Sequence, residues 1–245
     1  MTKSQSLEQF NLNISNYGYS ATGLDKLGAS AYTLVTIVVD TSSSVEDFKG
    51  DLEKSIKSTI EACSRSPRSD NLMIRIVTFS NQMSELHGFK LLSECKVKDY
   101  DNCLSCGGMT ALFAATENAI EATADYGKTL TESDFDVNAI IVVITDGANN
   151  MSGTIADVEK ALKKAMKDEN LESLLSILVG VGTKTYPDLQ KYLDNFKKDA
   201  GLTQYVSVED ADAKSLAKLA QFISKSISAQ SQALGSGAVS QQLNF

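Results

Sequence analysis

Ile37-Val38-Val39-Asp40-Thr41-Ser42-Ser43-Ser44-Val45-Glu46-Asp47-Phe48, or IVVDTSSSVEDF, carries an apolar run straight into a carboxylate and a row of hydroxyls. Residues 32–39 are β-branched and uninterrupted, the pattern of a strand covered on both faces. Beyond the hydroxyls, Val45, Phe48, Leu52, Ile56, Ile60 and Cys63 recur three or four apart and mark one face of an amphipathic helix. The stretch therefore predicts a strand that turns directly into a helix. Its turn lies at the strand's carboxyl end, where open parallel sheets place their binding crevices.

The same alternation continues outward. Residues 72–79 read as a second strand and residues 83–86 as a short antiparallel edge strand. A loop rich in Cys, Asp and Gly then leads to Thr110, after which Leu112, Phe113, Thr116, Ala119, Ile120 and Ala124 keep helical spacing. Strands are predicted over 139–144, 174–181 and 204–208, and helices over 155–167, from Pro187, and over 211–227. The order β-α-β-β-α-β-α-β-α-β-α gives the α/β class: a doubly wound, mostly parallel six-stranded sheet with one antiparallel edge strand and helices on both faces. The chain divides into a polar leader (1–30), one domain (31–228) and a Ser-, Gln-, Gly- and Ala-rich tail (229–245), expected to be flexible, although Leu243 and Phe245 could dock.

At 245 residues with 42% hydrophobic content, the chain can bury a full core. A formal net charge of -8 excludes the clustered basic surface that nucleic-acid binding draws on. The N-terminus lacks the apolar core of a signal peptide and no stretch approaches a membrane span, so a soluble, cytoplasmic protein is expected. The four Cys do not make a disulfide scaffold in a chain of this length.

Three loops at predicted strand ends carry oxygen donors: Asp40 to Ser44, Gly107-Gly108-Met109-Thr110, and Thr145-Asp146-Gly147. Carboxylates and hydroxyls without neighbouring His or Cys suit a hard divalent cation. In an extended turn Ser42 and Ser44 face one side while Thr41 and Ser43 face the other. Each loop also has a plain structural reading. Ser43 and Glu46 fit a capping box, and Asp146-Gly147 and Gly107-Gly108 fit ordinary turns.

Taken together, Asp40-x-Ser42-x-Ser44, the Thr110 of a Gly-Gly-x-Thr loop and Asp146 of ITDG resemble the von Willebrand factor A domain family and its metal-ion-dependent adhesion site. The resemblance covers roughly residues 32–227. Ser43 stands where the family often has Gly. The resemblance implies a binding module in which Asp40, Ser42, Ser44, Thr110 and Asp146 hold Mg²⁺ (or Mn²⁺ or Ca²⁺), with one position left for an Asp or Glu of a partner protein. In style the chain is similar to small stand-alone intracellular members of bacteria and their viruses, including those near tellurite-resistance proteins. That likeness implies an adaptor, sometimes working beside ring-forming ATPases, and not an enzyme.

Two other chemistries compete. A hydrolase or phosphatase-like enzyme would need G-x-S-x-G with a His base, or a second Asp where Ser42 stands, and the only His is His87. Cys95, Cys103 and Cys106, with His87, could form a zinc site, or Cys103 and Cys106 a disulfide, although reduced thiols fit the irregular spacing best. A structural assembly role acting through the C-terminal tail is a further alternative.

Overall fold

The computed structural model describes residues 7–12, 18–168, 170–236 and 241–245. In chain order the strands are β1 (Glu8–Phe10), β2 (Tyr19–Ala21), β3 (Ala31–Asp40), β4 (Leu72–Phe79), β5 (Met83–Leu91), β6 (Asp136–Thr145), β7 (Leu174–Val181) and β8 (Gln204–Val208). The helices are α1 (Lys49–Ser64), α2 (Leu112–Thr131), α3 (Ile155–Lys167), α4 (Pro187–Ala200) and α5 (Ala213–Ala233). All strands join one sheet in the order β1-β2-β5-β4-β3-β6-β7-β8, and β4, β3, β6, β7 and β8 are mutually parallel.

The opening stretch forms the centre of this sheet. Because side chains alternate along a strand, Val35, Ile37 and Val39 of β3 pack with Leu52, Ile56 and Ile60 of α1 and Leu216, Leu219 and Ile223 of α5. Val38 points to the other layer, among Leu112, Ile120, Leu162 and Leu193 of α2, α3 and α4. The two helical layers cover both faces of the central sheet, which explains why its strands read as largely apolar runs.

The expected six-stranded sheet is corrected here to eight strands. β5 runs antiparallel to β4 but is not an edge: β2 pairs with it in parallel at Ala21 and Phe89, and β1 pairs antiparallel with β2. Strands of three residues are too short to print a period of two, so the leader gave no strand signal. Aromatic packing holds them instead. Phe10 stacks on Tyr19 with ring centroids 4.9 Å apart, and Phe89 stacks on Tyr126 at 5.1 Å. Close approach also matters, since a Cβ at Gly88 would lie 1.8 Å from the Ser20 carbonyl oxygen.

A buried ion pair ties this flank to the core. Arg75 of β4 is 1% exposed. Its Nε donates to Glu85 Oε1 at 2.7 Å, its Nη2 donates to Asn118 Oδ1 at 3.0 Å, and its guanidinium lies 5.9 Å from the Phe89 ring centroid. Glu85 Oε2 in turn accepts from the Ser20 N–H at 3.1 Å and the Ser20 hydroxyl at 2.8 Å. One charged pair thus links β2, β4, β5 and α2.

At the other end, α5 continues to Ala233, six residues past the expected stop at 227. Residues 241–245 return to the body, where Gln204 Nε2 donates to the Leu243 carbonyl at 2.7 Å and Phe245 meets Phe222 edge to face at 5.7 Å. The other positions expected to be loose, 237–240, and leader residues 1–6 and 13–17 lie outside the described residues. Among the described residues no helix is long and apolar enough to cross a membrane.

Candidate metal centre

Five parallel strands end on one side of the sheet, and there the three oxygen-rich loops meet. After β3 the chain makes one 3-10 turn, Ser43–Asp47, before α1 begins at Lys49, so the hydroxyl row is held in a tight turn and not in the helix. Ser42 Oγ and Ser44 Oγ are 3.2 Å apart, and Ser44 Oγ donates to Asp146 Oδ1 at 2.9 Å. Thr110 reaches the same spot from the second loop, since a Cβ on Gly147 would lie 3.4 Å from its Oγ1. The structure therefore brings Asp40, Ser42, Ser44, Thr110 and Asp146 together. Asp40, Ser42 and Thr110 are buried at 1%, 2% and 4% exposure, Asp146 is half-buried and Ser44 faces solvent, so the cluster opens to one side.

The residues pointing away act as clamps. Thr41 Oγ1 donates to the Phe79 carbonyl at 3.0 Å, and the Thr41 carbonyl accepts from the Gly107 N–H at 2.8 Å. Ser43 does not make the expected capping box. Its N–H and Oγ donate to the Gly108 carbonyl at 3.2 and 3.1 Å, while Glu46 pairs with Lys49 at 2.5 Å. The hydroxyl that resembled a helix cap thus pins the first loop to the second. Gly108 has φ +83, and a Cβ there would fall 2.5 Å from Asn81 Oδ1, so only glycine suits this position.

Several contacts that shape the site were not read from the sequence. Thr145 Oγ1 donates to Asp40 Oδ2 at 2.6 Å, and the Ser42 N–H donates to Asp40 Oδ1 at 2.8 Å. Asn150 holds Thr110 from both sides: its Oδ1 accepts the Thr110 N–H at 2.7 Å and its own N–H donates to the Thr110 carbonyl at 3.1 Å. Asn149 Oδ1 accepts the Phe113 N–H at 3.2 Å, and Asn81 Oδ1 accepts the Met109 N–H at 2.6 Å. The one available signal was the Asn149-Asn150 pair just after ITDG, where two amides in a loop offer turn-like partners for backbone groups.

Electrostatics distinguish the cluster from a packed polar core. Burial pushes the Asp40 carboxyl up from 3.8 to about 6, offset in part by its Thr145 and Ser42 hydrogen bonds and raised further by Asp146 nearby. Burial raises Asp146 as well. Among the described residues neither carboxylate has a Lys or Arg within ion-pair distance. Two desolvated acids with three hydroxyls and no protein cation fit a hard divalent ion, whose charge would remove the cost of burying them.

The competing sites do not assemble. Among the described residues no three His, Cys, Asp or Glu side chains group as a metal site, and all four Cys are free. His87 Nδ1 lies 2.9 Å from the Gly88 carbonyl, which can only accept, so Nε2 accepts from the Tyr100 hydroxyl at 2.8 Å. Burial lowers this His to about 4 and keeps it neutral. The Cys103 thiol is pushed up to about 11, chiefly by burial, the opposite of an activated thiol.

The von Willebrand factor type A domain family matches residues 35–222. No curated protein sequence matches significantly. Solved structures similar in fold include the PilB minor pilin from Streptococcus sanguinis, with a TM-score of 0.56 at 14% identity over 82% of this chain and 62% of that one. A von Willebrand factor type A protein from Catenulispora acidiphila gives 0.53 at 13% identity over 81% of this chain and 43% of that one. Proximal thread matrix protein 1 from the mussel byssus, solved with a zinc-occupied metal-ion-dependent adhesion site, gives 0.52 at 17% identity over 80% of this chain and 46% of that one. The chain thus spans less than two thirds of each of these proteins.

Proposed function

The chain belongs to the von Willebrand factor type A domain family, and from that premise we propose that it is a metal-dependent protein-binding module. Asp40, Ser42, Ser44, Thr110 and Asp146 form its adhesion site, with Mg²⁺ the preferred ion and Mn²⁺ or Ca²⁺ as substitutes. The observation that carries this reading is the pair of desolvated carboxylates, Asp40 and Asp146, with no cationic side chain beside either among the described residues. An all-oxygen donor set suits Mg²⁺ better than a soft metal, although the zinc in the mussel protein indicates that this fold accepts other divalent ions. When bound, the ion would supply a positive charge with a coordination position open to an acidic side chain of a partner.

The chain's own residues prepare that encounter. Asp40 is fixed by Thr145 and Ser42, Thr110 is fixed by Asn150, and Ser44 lies at the solvent side where a partner carboxylate would arrive. A protein of net charge -8 repels acidic surfaces, so the partner is expected to flank its acidic residue with Lys or Arg. Binding is favoured over catalysis because the single His is committed to Tyr100 and Gly88 in β5. Four free thiols favour a reducing, cytoplasmic setting, and an adaptor role there, beside a ring-forming ATPase, follows the likeness to the small stand-alone members.

Calorimetric titration of Mg²⁺ and Mn²⁺ into the wild type and Asp146→Ala tests the site itself. Saturable binding by the wild type, lost in the variant, is expected; equal heats from both proteins would remove the proposal. Pull-down from native host lysate with wild type and Asp40→Ala, in Mg²⁺ and then in chelator, tests the bridge. A partner retained only by metal-loaded wild type is expected.

A further inference from the structure

We propose that the groove between the outer edge of β8 and the first half of α5 is a second binding site, one that recognises a short segment carrying Leu two residues ahead of Phe. Its occupant in this structure is residues 241–245 of the same chain. Among the described residues β8 pairs only with β7, so no strand continues the sheet at its other edge, a surface that proteins usually cover. Residues 241–245 lie over this flank without forming a strand. They are held at separate points: Gln204 Nε2 donates to the Leu243 carbonyl, the Phe245 ring meets Phe222 edge to face, and Lys218 Nζ sits 5.2 Å from the Phe245 ring centroid. Leu243 also packs against the core between the sheet and α5.

These contacts give the groove a direction and a preference. Leu243 is bonded at the first residue of β8, whereas Phe245 forms one wall of a cavity that Ser207, Val208, Asp210, Ser215 and Lys218 also line at the end of that strand. The peptide therefore runs with β8 and finishes on the same side of the sheet as the metal centre. An apolar anchor two residues ahead of an aromatic ring, read by one side-chain hydrogen bond to the segment's backbone and a cation over the ring, is a short linear recognition pattern. Phe245 remains 41% exposed, so the occupant is held loosely enough to exchange.

In cis the tail competes at an effective concentration on the order of millimolar, so an added peptide should enter only when the resident anchors are removed. The test is nuclear magnetic resonance titration of the unlabelled peptide Gln-Gln-Leu-Asn-Phe into isotope-labelled full-length wild type and full-length Leu243→Ala/Phe245→Ala. Shifts at Ser207, Lys218 and Phe222 in the double variant, at least about tenfold weaker in wild type, are expected from that competition. The peptide Gln-Gln-Leu-Asn-Ala should cause none, and chelator should change nothing. No shift in the folded double variant at millimolar peptide, or equal shifts in both proteins, would overturn the proposal. If the double variant does not fold, Phe245→Ala alone serves as the opened form with the same outcomes.

Discussion

Arg75 with Glu85, and Asp40 with Asp146, are both clusters of charge withdrawn from water, yet their electrostatics are opposite. The first is closed: the guanidinium finds a carboxylate, an amide oxygen and an aromatic face, while the carboxylate also takes two donors from Ser20. The second is open: two acids share hydroxyls and backbone donors, but no side chain among the described residues supplies the positive charge. A buried charge that completes its own balance holds strands together. One that lacks its counter-charge has kept a place for something from outside.

The largest test of this contrast breaks the closed cluster. Glu85→Ala leaves Arg75 buried without its partner and frees Ser20 of β2, so the folded state should lose about 3–5 kcal/mol. Urea unfolding would read this as a lower midpoint, and Mg²⁺ should restore none of the difference. A loss below about 1 kcal/mol would mean that the pair is solvated and the flank is held by aromatic packing alone.

The open cluster should respond to protons in the reverse sense. Because burial pushes the folded Asp40 carboxyl up to about 6 from an ordinary 3.8, the metal-free folded state binds the proton more tightly than the unfolded chain. Its contribution is therefore full below about pH 4 and lost as pH rises through 6, by at most about 3 kcal/mol. His87, lowered to about 4 by burial, works the other way and loses stability as pH falls. The informative quantity is thus the stability of wild type minus that of Asp40→Asn in chelator, which should fall by up to about 3 kcal/mol as pH rises from 4 to 7, since Asn carries no proton to lose. A difference that is flat with pH would show that Asp40 is solvated in the free protein.

How legible each region was follows from the same physics. The central strands and the candidate site could be read because buried parallel strands are continuous apolar runs and because Asp40, Ser42, Ser44, Thr110 and Asp146 lie in short motifs around the strand ends. β7, β8 and α3 begin and end where periodicity placed them. The closed cluster was invisible: Arg75 sits in an apolar strand and Glu85 in a polar one, and only the fold brings Ser20 to them across 65 positions. β1 and β2 escaped because their pairing depends on Gly88 and on ring stacking, neither of which has a period. Ser43 was misread as a cap because spacing cannot tell which oxygen a hydroxyl will meet.

Supplying the missing charge should then stabilise one cluster only. At a hundredfold excess over its dissociation constant, Mg²⁺ bound to the native state adds about 2.7 kcal/mol. Thermal unfolding of the wild type should rise accordingly, and Asp146→Ala should show no Mg²⁺ response while matching or exceeding the wild type's stability in chelator, since it removes a desolvated acid. A variant markedly weaker than wild type without metal would place Asp146 in the scaffold instead.

The smallest expected effect separates the two readings of Ser43. As a helix cap, its loss would weaken α1 whether or not metal is present. As a clip from the first loop to the Gly108 carbonyl, it holds Thr110's loop against Asp40, and its bond is solvent-exposed and worth about 0.5–1 kcal/mol. Ser43→Ala should therefore lower metal-free stability only slightly while weakening Mg²⁺ binding about two- to fivefold, and Ser43→Thr, which keeps the hydroxyl, should recover much of the affinity. Calorimetry on the three proteins would decide it. Unchanged Mg²⁺ affinity in Ser43→Ala, with a lower unfolding midpoint, would return this hydroxyl to the helix and leave the two loops joined by their backbone bonds, Gly107 N–H to the Thr41 carbonyl and Ser43 N–H to the Gly108 carbonyl.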